Sequence, residues 1–224
     1  MNPESMDETV AVTLDPPGTI TVIGGGPLGL EAALYGRYLG YDVTLIEADS
    51  SVEDLIGEDN AESPIPIRPD RCASPLARSA LAAQEGQSGP KRSPTTIGEW
   101  VEQIWRPLAE TDLLRGRVRS TTPTGIESVA VEPDEETAED DEAIPPDFRL
   151  TFSDGETHLC EAVIDTSHAA VPCSFPLPAD YHFRVQGEGA DAESEFWSGL
   201  KQIVALYAAL GGRAELDLYR PMRD

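Results

Sequence analysis

The chain has 224 residues, of which 41 are acidic and 16 are Lys or Arg, so its formal net charge at pH 7 is −25. At roughly 150 residues per domain, this length excludes a large multidomain machine. The acidic surface repels phosphate backbones and anionic lipid. We therefore expect neither a nucleic acid nor a membrane as a partner.

Targeting signals and cysteine usage indicate where the protein works. No Lys or Arg precedes Arg37, so residues 1–18 lack the basic region of a secretory signal. The longest apolar run, Ile203–Leu210, is far shorter than the roughly 20 residues that span a bilayer. The cysteines are odd in number and lack CxxC spacing, which favours reduced thiols: Cys72, Cys160 and Cys173. We expect a cytoplasmic protein.

The predicted elements begin after a polar stretch, residues 1–18, that we interpret as a flexible leader. Thr19–Ile23 and Asp42–Ile46 are short apolar runs, typical of buried strands. Pro27–Leu39 carries apolar residues at helical spacing and predicts a helix between them. The chain thus opens with a strand, a helix and a strand.

The middle of the chain predicts two helices and an acidic loop. Helical spacing indicates helices over Pro75–Ala83 and Ile97–Leu108, with Trp100 and Trp105 as core anchors. Residues 132–147 are crowded with acids, and we interpret them as a solvated loop. A calcium-binding loop is the weaker interpretation, because the acidic run lacks the glycine that its sharp turn needs.

The last predicted elements are short strands and one long helix. Val118 and Ile126–Val131 indicate strands, and an Asp-Gly turn predicts a hairpin of Phe148–Phe152 with His158–Ile164. We expect no strand after Asp165. An apolar stripe predicts a final helix at 194–210.

The motif that carries chemistry is GxGxxG, placed between the first strand and the first helix. Gly24 permits the tight turn, Gly26 lets a pyrophosphate approach the backbone, and Gly29 lets the helix lie close to the strand. The helix N-terminus offers amides and positive partial charge to phosphates. Glu47, at the end of the second strand, is placed to accept hydrogen bonds from an adenosine ribose and to repel a 2′-phosphate.

With this motif, residues Thr19–Ala48 resemble the N-terminal FAD-binding segment of flavoproteins related to pyridine nucleotide-disulfide oxidoreductases and flavin monooxygenases. The resemblance implies FAD as the cofactor, with NAD as the alternative. It implies that the glycine segment holds the pyrophosphate, that Val118 starts a strand beside the adenine, and that Ala162–Ser167 passes near the cofactor. The cofactor-binding residues predicted in this way are Gly24, Gly25, Gly26, Pro27, Leu28, Gly29, Glu47, Val118, Thr166 and Ser167.

The chain departs from that family at three places. His168 stands where family members usually carry glycine, and no second GxGxxG follows Asp165. Gly187-Glu188-Gly189-Ala190-Asp191 replaces the usual hydrophobic-Gly-Asp signature. We expect a shortened α/β fold, a single Rossmann-like FAD/NAD(P)-binding domain at 19–224 with a mainly parallel sheet and an inserted β-hairpin or meander.

Two functions are compatible with these residues. The first is an FAD-binding oxidoreductase of reduced size that exchanges electrons with an external or protein partner. The alternative is a non-catalytic dinucleotide-binding module, or pseudoenzyme, that acts through protein partners. No catalytic side chain is identified, and no metal site is expected, because the spacing of the few His and Cys residues matches no common zinc motif: His158, Cys160, His168 and Cys173.

Overall fold

The computed structural model describes residues 13–51, 60–84, 93–131, 146–213 and 215–220. Within them, the helices are α1 (Pro27–Leu39), α2 (Pro75–Ala83), α3 (97–109) and α4 (Ala192–Leu210). The strands are β1 (Thr19–Gly25), β2 (Asp42–Ser51), β3 (Val118–Ser120), β4 (Pro123–Val129), β5 (Asp147–Phe152), β6 (Thr157–Cys160), β7 (Ala162–Asp165) and β8 (His182–Arg184). Helix α3 is continuous but passes through a π-helical turn at Val101–Trp105.

A five-stranded parallel sheet forms the centre of the described residues, in the order β3-β2-β1-β7-β8. Strand β1 lies in the middle and is buried along almost its whole length. It is apolar and β-branched, as expected for a strand that is covered on both faces. All strands of a parallel sheet end at one edge, so the turn after β1 lies beside the ends of β2 and β7.

The antiparallel strands β4, β5 and β6 form a separate meander between β3 and β7 along the chain. The fold class predicted from the sequence is therefore confirmed: a Rossmann-like α/β domain with a mainly parallel sheet and an inserted meander.

Helix α4 packs against α1 along one face of the sheet. Asp191 caps its N-terminus by accepting a hydrogen bond from the Ser194 amide at 2.7 Å. The Tyr207 hydroxyl donates to the Ala32 carbonyl oxygen at 2.9 Å, and the Tyr207 and Tyr35 rings stack with centroids 5.1 Å apart. None of the described helices is long and apolar enough to cross a bilayer.

The strand predicted at His158–Ile164 is wrong, because the chain divides there into β6 and β7, which belong to different sheets. Glu161 marks the division. Its carboxylate accepts hydrogen bonds from the Thr19 amide at 2.6 Å and from the Thr19 hydroxyl at 2.9 Å. These hydrogen bonds hold the end of the meander against the start of β1, at the point where the chain leaves one sheet and enters the other.

The prediction that no strand follows Asp165 is also wrong. Strand β8 pairs in parallel with β7, with Arg184 opposite Asp165. It covers three residues at the edge of the sheet and has no alternating apolar pattern, so its formation depends on pairing with β7 rather than on its own sequence.

The predicted end of the second strand at Ile46 is wrong, because β2 continues to Ser51 and Glu47 lies within it. Other predicted boundaries are close to the observed ones. The structure has α1 and α2 with the predicted ends, and α4 begins at Ala192 instead of residue 194. Both predicted core tryptophans are buried, Trp100 in α3 and Trp105 one π-helical turn later. Of the expected acidic loop, residues 132–145 lie outside the described residues, and Asp147 belongs to β5.

Most of the expected leader, residues 1–12, also lies outside the described residues. The part that is described is attached to the domain. The Leu14 amide donates to the Leu210 carbonyl at 2.9 Å, and the Leu14 carbonyl accepts from the Tyr41 hydroxyl at 2.8 Å.

Candidate functional site

Gly24 and Gly29 shape the turn between β1 and α1. Gly24 has φ +108°, a conformation that L side chains rarely adopt. A Cβ atom at Gly29 would lie 1.7 Å from the Gly24 carbonyl oxygen. Only glycine at both positions lets the first turn of the helix lie against the end of the strand.

Gly26 differs from its neighbours because it faces open space. A Cβ atom there would meet no atom within 4 Å among the described residues. Gly26 is the N-cap of α1, Pro27 follows at the first helical position, and no side chain in the described part of the chain caps the helix. Among the described residues, the first-turn amides of α1 therefore have no side-chain acceptor at the N-cap, which is the kind of helix end that binds anions.

Glu47 lies beside this turn, within β2, which continues to Ser51. A Cβ atom at Gly25 would lie 2.6 Å from the Glu47 Cγ atom and 3.3 Å from its Oε1 atom. The carboxylate is thus adjacent to the glycine segment, at the place where the sequence predicts a ribose-binding acid.

Thr166 closes the other side of the turn. Its amide donates to the Ile23 carbonyl at 2.8 Å, and its hydroxyl donates to the same oxygen at 2.9 Å. The hydroxyl oxygen would lie 2.5 Å from a Cβ atom at Gly24 and 3.0 Å from one at Gly29. Residues 165–168 therefore form a wall against the glycine segment.

Sequence reasoning missed the ion pair that supports this wall. Asp165 is 2% exposed, and its Oδ2 atom accepts from Arg184 at 3.1 Å. Its Oδ1 atom accepts from the amide of Ser167 at 2.9 Å and from the Ser167 hydroxyl. The sequence places Asp165 at the end of a predicted strand, but nothing in it indicates an arginine 19 positions later as the partner.

Glu31 is the second feature that was missed. It lies on α1, fully buried, and accepts from the Ser74 amide at 3.1 Å and from the Ser74 hydroxyl at 2.7 Å. Burial raises the pKa of Glu31 to about 7, although the hydrogen bonds from Ser74 act in the opposite direction. An acid within the apolar run Leu30–Tyr35 is the signal that could have indicated it.

A cleft of about 1010 Å³ opens between the 65–71 segment and the first half of α4. Arg71 lies 4.5 Å above the Trp197 ring centroid, and Glu193 pairs with Arg68 at 3.2 Å and with Arg71 at 3.1 Å. Ser198 lines this cleft, and the next residue of α4, Gly199, packs against the Leu28 side chain.

The described cysteines are free and do not form an activated thiol. Burial raises the pKa of Cys160 to about 12 and also raises the pKa values of Cys72 and Cys173. Cys173 Sγ lies 3.8 Å from Nε2 of His182, whose pKa burial lowers. Both groups are therefore neutral at pH 7. In the described part of the chain, no three His, Cys, Asp or Glu side chains come together in a way that could hold a metal ion.

The structure brings most of the predicted site residues to one edge of the sheet: Gly24, Gly25, Gly26, Pro27, Leu28, Gly29, Glu47, Thr166 and Ser167. Val118 lies further from the glycine segment than Ser120 does, because Ser120 is the residue that pairs with Glu47. Val118 pairs with Leu45 on β2, two residues before Glu47. His168, which stands where the resembled family usually carries glycine, is exposed.

Residues 19–62 match the family model of the pyridine nucleotide-disulphide oxidoreductases. The resemblance predicted from the sequence is confirmed for this segment. It contains β1, α1 and β2, and with them the glycine turn, Glu31 and Glu47. No curated protein matches the chain.

Solved structures resemble a larger part of the chain than residues 19–62. They include a cyclohexanone monooxygenase mutant from Rhodococcus sp. Phi1 bound to NADP+, with 18% identity and a TM-score of 0.47 over 71% of this chain and 28% of that chain. A ferredoxin-flavin thioredoxin reductase from Clostridium acetobutylicum has 15% identity and a TM-score of 0.39 over 71% and 40%. A flavin-containing monooxygenase from Stenotrophomonas maltophilia has 16% identity and a TM-score of 0.38 over 66% and 38%. The chain spans less than half the length of these enzymes.

Proposed function

We propose that the chain is a flavin-binding oxidoreductase module that holds the ADP half of FAD on its glycine turn. The observation that supports this most directly is the open space at Gly26. Gly24 and Gly29 are fixed by contacts within the protein, whereas at Gly26 no contact with the described residues requires glycine. A glycine with free space at the N-terminus of an uncapped helix fits a bound pyrophosphate.

The neighbouring side chains fit the same dinucleotide. Glu47 is adjacent to Gly25 and would accept hydrogen bonds from the adenosine ribose hydroxyls. A 2′-phosphate would meet this carboxylate at short range and be repelled. The site therefore favours FAD, or NAD as the alternative, over NADP.

When bound, FAD supplies hydride and electron transfer chemistry. The protein residues supply position and electrostatics, and a separate reductant or protein exchanges the electrons. The described thiols take no part, because they are protonated at neutral pH.

A second candidate function is a non-catalytic dinucleotide-binding module that acts through protein partners. The observation that favours it is the lack of an activated nucleophile or acid-base pair beside the glycine turn among the described residues. In this case the turn would hold ADP or NAD without redox chemistry.

The deciding experiment is reconstitution with FAD, followed by desalting, a visible spectrum and melting curves with FAD, NAD and ADP. A retained flavin band and stabilisation by FAD support the oxidoreductase. Stabilisation by ADP or NAD without retained flavin supports the non-catalytic module. If no nucleotide changes the melting curve, both proposals fail.

Filling the space at Gly26 should block the ligand without harming the fold. In Gly26→Ala the new methyl group meets no protein atom, so the melting temperature without ligand should stay that of the wild type. Affinity for ADP should fall at least about tenfold, the size of one lost charge-assisted hydrogen bond. Calorimetric titration with ADP measures this change.

Gly125→Ala is the matched control for this experiment. It lies on β4, and its Cβ atom would meet only the Pro172 carbonyl, at 3.9 Å. It should leave both stability and ADP affinity unchanged. Wild-type ADP affinity in Gly26→Ala would contradict a phosphate position at this turn.

Removing the Glu47 carboxylate should change which nucleotide is preferred. In Glu47→Ala we expect affinity for ADP to fall about tenfold, because the ribose loses a charged acceptor. Affinity for 2′,5′-ADP should fall less or rise, because repulsion of the 2′-phosphate disappears. The ratio of the two dissociation constants measures this, with Glu127→Ala on the meander as the control. An unchanged ratio would place the ribose elsewhere.

A further inference from the structure

The wall at residues 165–168 depends on the side chain of Arg184, which projects from the neighbouring strand β8. Arg184 donates to Asp165 Oδ2 at 3.1 Å and to the carbonyl oxygens of Ser167 and His168, each at 3.3 Å. One guanidinium thus joins the carboxylate before the turn to two backbone carbonyls within it. This uses the forked donor geometry of arginine, which lysine cannot reproduce.

The same turn carries Thr166, whose amide and hydroxyl bind the Ile23 carbonyl at the end of β1. The Thr166 hydroxyl also lies against the Gly24 backbone, where it donates to the carbonyl oxygen at 3.3 Å. The contacts therefore run without a gap from Arg184 through the 165–168 turn to Gly24.

We propose that Arg184 is a positioning residue for the nucleotide site: by holding the 165–168 turn against Gly24, it keeps the glycine segment in its ligand-binding shape. The effect on ligand binding rests on the proposed function. The effect on the turn does not, because it follows from contacts within the protein.

The burial of Asp165 makes this arrangement sensitive to the loss of Arg184. The Asp165 side chain is 3% exposed, and that of Arg184 is 32% exposed. Without the guanidinium, the carboxylate retains only the hydrogen bonds from Ser167, and the two carbonyls lose their donor. A buried charge without its partner favours opening of the turn toward water.

The experiment is amide hydrogen exchange of the full chain without ligand, combined with ADP titration, for the wild type, Arg184→Gln and Arg184→Lys. Arg149→Gln is the control, because Arg149 also forms a half-exposed ion pair, at 2.8 Å with Glu127, but lies on the meander. In Arg184→Gln we expect exchange in residues 163–170 to rise about tenfold or more and ADP to bind about tenfold more weakly, the size of one lost charged hydrogen bond. Arg184→Lys should fall between Arg184→Gln and the wild type.

Three results would overturn the proposal. The first is unchanged exchange at 163–170 in Arg184→Gln, and the second is a uniform rise along the whole chain, which would indicate a purely structural role. The third is faster exchange at the turn with wild-type ADP affinity, which would separate the turn from the site. If the wild type itself binds neither ADP nor FAD, the proposed function fails, and the exchange data alone decide whether Arg184 holds the turn.

If Arg184→Gln does not fold, the double variant Asp165→Asn/Arg184→Gln is used for the same hydrogen-exchange measurement. It removes both charges and retains an acceptor for Ser167, so no buried charge is left unpaired. We expect it to fold and still to show faster exchange at 163–170, because a glutamine amide cannot reach the carboxamide and both carbonyls together. Wild-type exchange in this variant would overturn the proposal.

Discussion

Gly29→Ala should destabilise the protein more than any other single methyl group added to the site. The new Cβ atom would lie 1.7 Å from the Gly24 carbonyl oxygen and 3.0 Å from the Thr166 hydroxyl. Backbone must move to relieve this contact, so the start of α1 has to separate from the end of β1. We expect a loss of about 3 kcal/mol, the upper part of the usual range for overpacking. This corresponds to a fall of about 10 °C in melting temperature for a chain of this size.

Gly26→Ala is the internal comparison for this prediction, since the same methyl group three residues earlier meets no protein atom. The pair separates the two uses of glycine in one turn, because Gly29→Ala should lower stability and Gly26→Ala should lower only ligand affinity. Equal melting temperatures for Gly29→Ala and the wild type would show that the helix and strand are not in the close contact described here.

Stability should fall as the pH rises through neutrality, and Glu31 should be the cause. Burial raises its pKa from 4.5 to about 7, so the folded state holds the Glu31 proton more tightly than the unfolded state. The stabilisation is complete below pH 4.5 and is lost as the pH rises through 7. A pKa difference of this size makes the free energy of unfolding about 3 kcal/mol larger at low pH, where Glu31 is protonated, than at high pH, where it is ionised.

Glu31→Gln isolates this effect, because glutamine resembles the protonated acid and cannot ionise. The difference in unfolding free energy between wild type and variant, from urea denaturation at pH 5 to 8, should fall by about 3 kcal/mol across the range. Ser74→Ala should shift the midpoint to higher pH, because the hydrogen bonds from Ser74 favour the charged form. A flat difference between wild type and Glu31→Gln would contradict the assignment.

The sequence predicts the part of the fold that local residues determine. The ends of α1 follow from Pro27 at its first turn and Gly40 at its C-terminus, which adopts φ +95°. The parallel pairing of β1 with β2 follows from the short strand-helix-strand spacing. The glycine turn and Glu47 could be found in advance for the same reason, since all of them lie within one local unit.

The rest depends on contacts between distant residues, which periodicity does not report. Strand β8 is three residues long and exists because it pairs with β7. The division at Glu161 depends on Thr19, which lies 142 positions earlier. The Asp165–Arg184 pair likewise appears only when β7 and β8 are adjacent. The candidate site was therefore predictable on its β1–β2 side, and its β7–β8 side was predictable only through the family resemblance.

The insertion of the meander between β3 and β7 has a consequence for the order of folding. Ile20 pairs with Ala162, 142 positions away, whereas Thr19 pairs with Asp42, 23 positions away. Closing the longer segment costs roughly 1.6 kcal/mol more chain entropy. Non-local pairing of this kind is slow, so we expect β1 to pair with β2 early and with β7 late. We therefore expect the glycine turn to form first against β2 and to contact Thr166 only after the meander has folded.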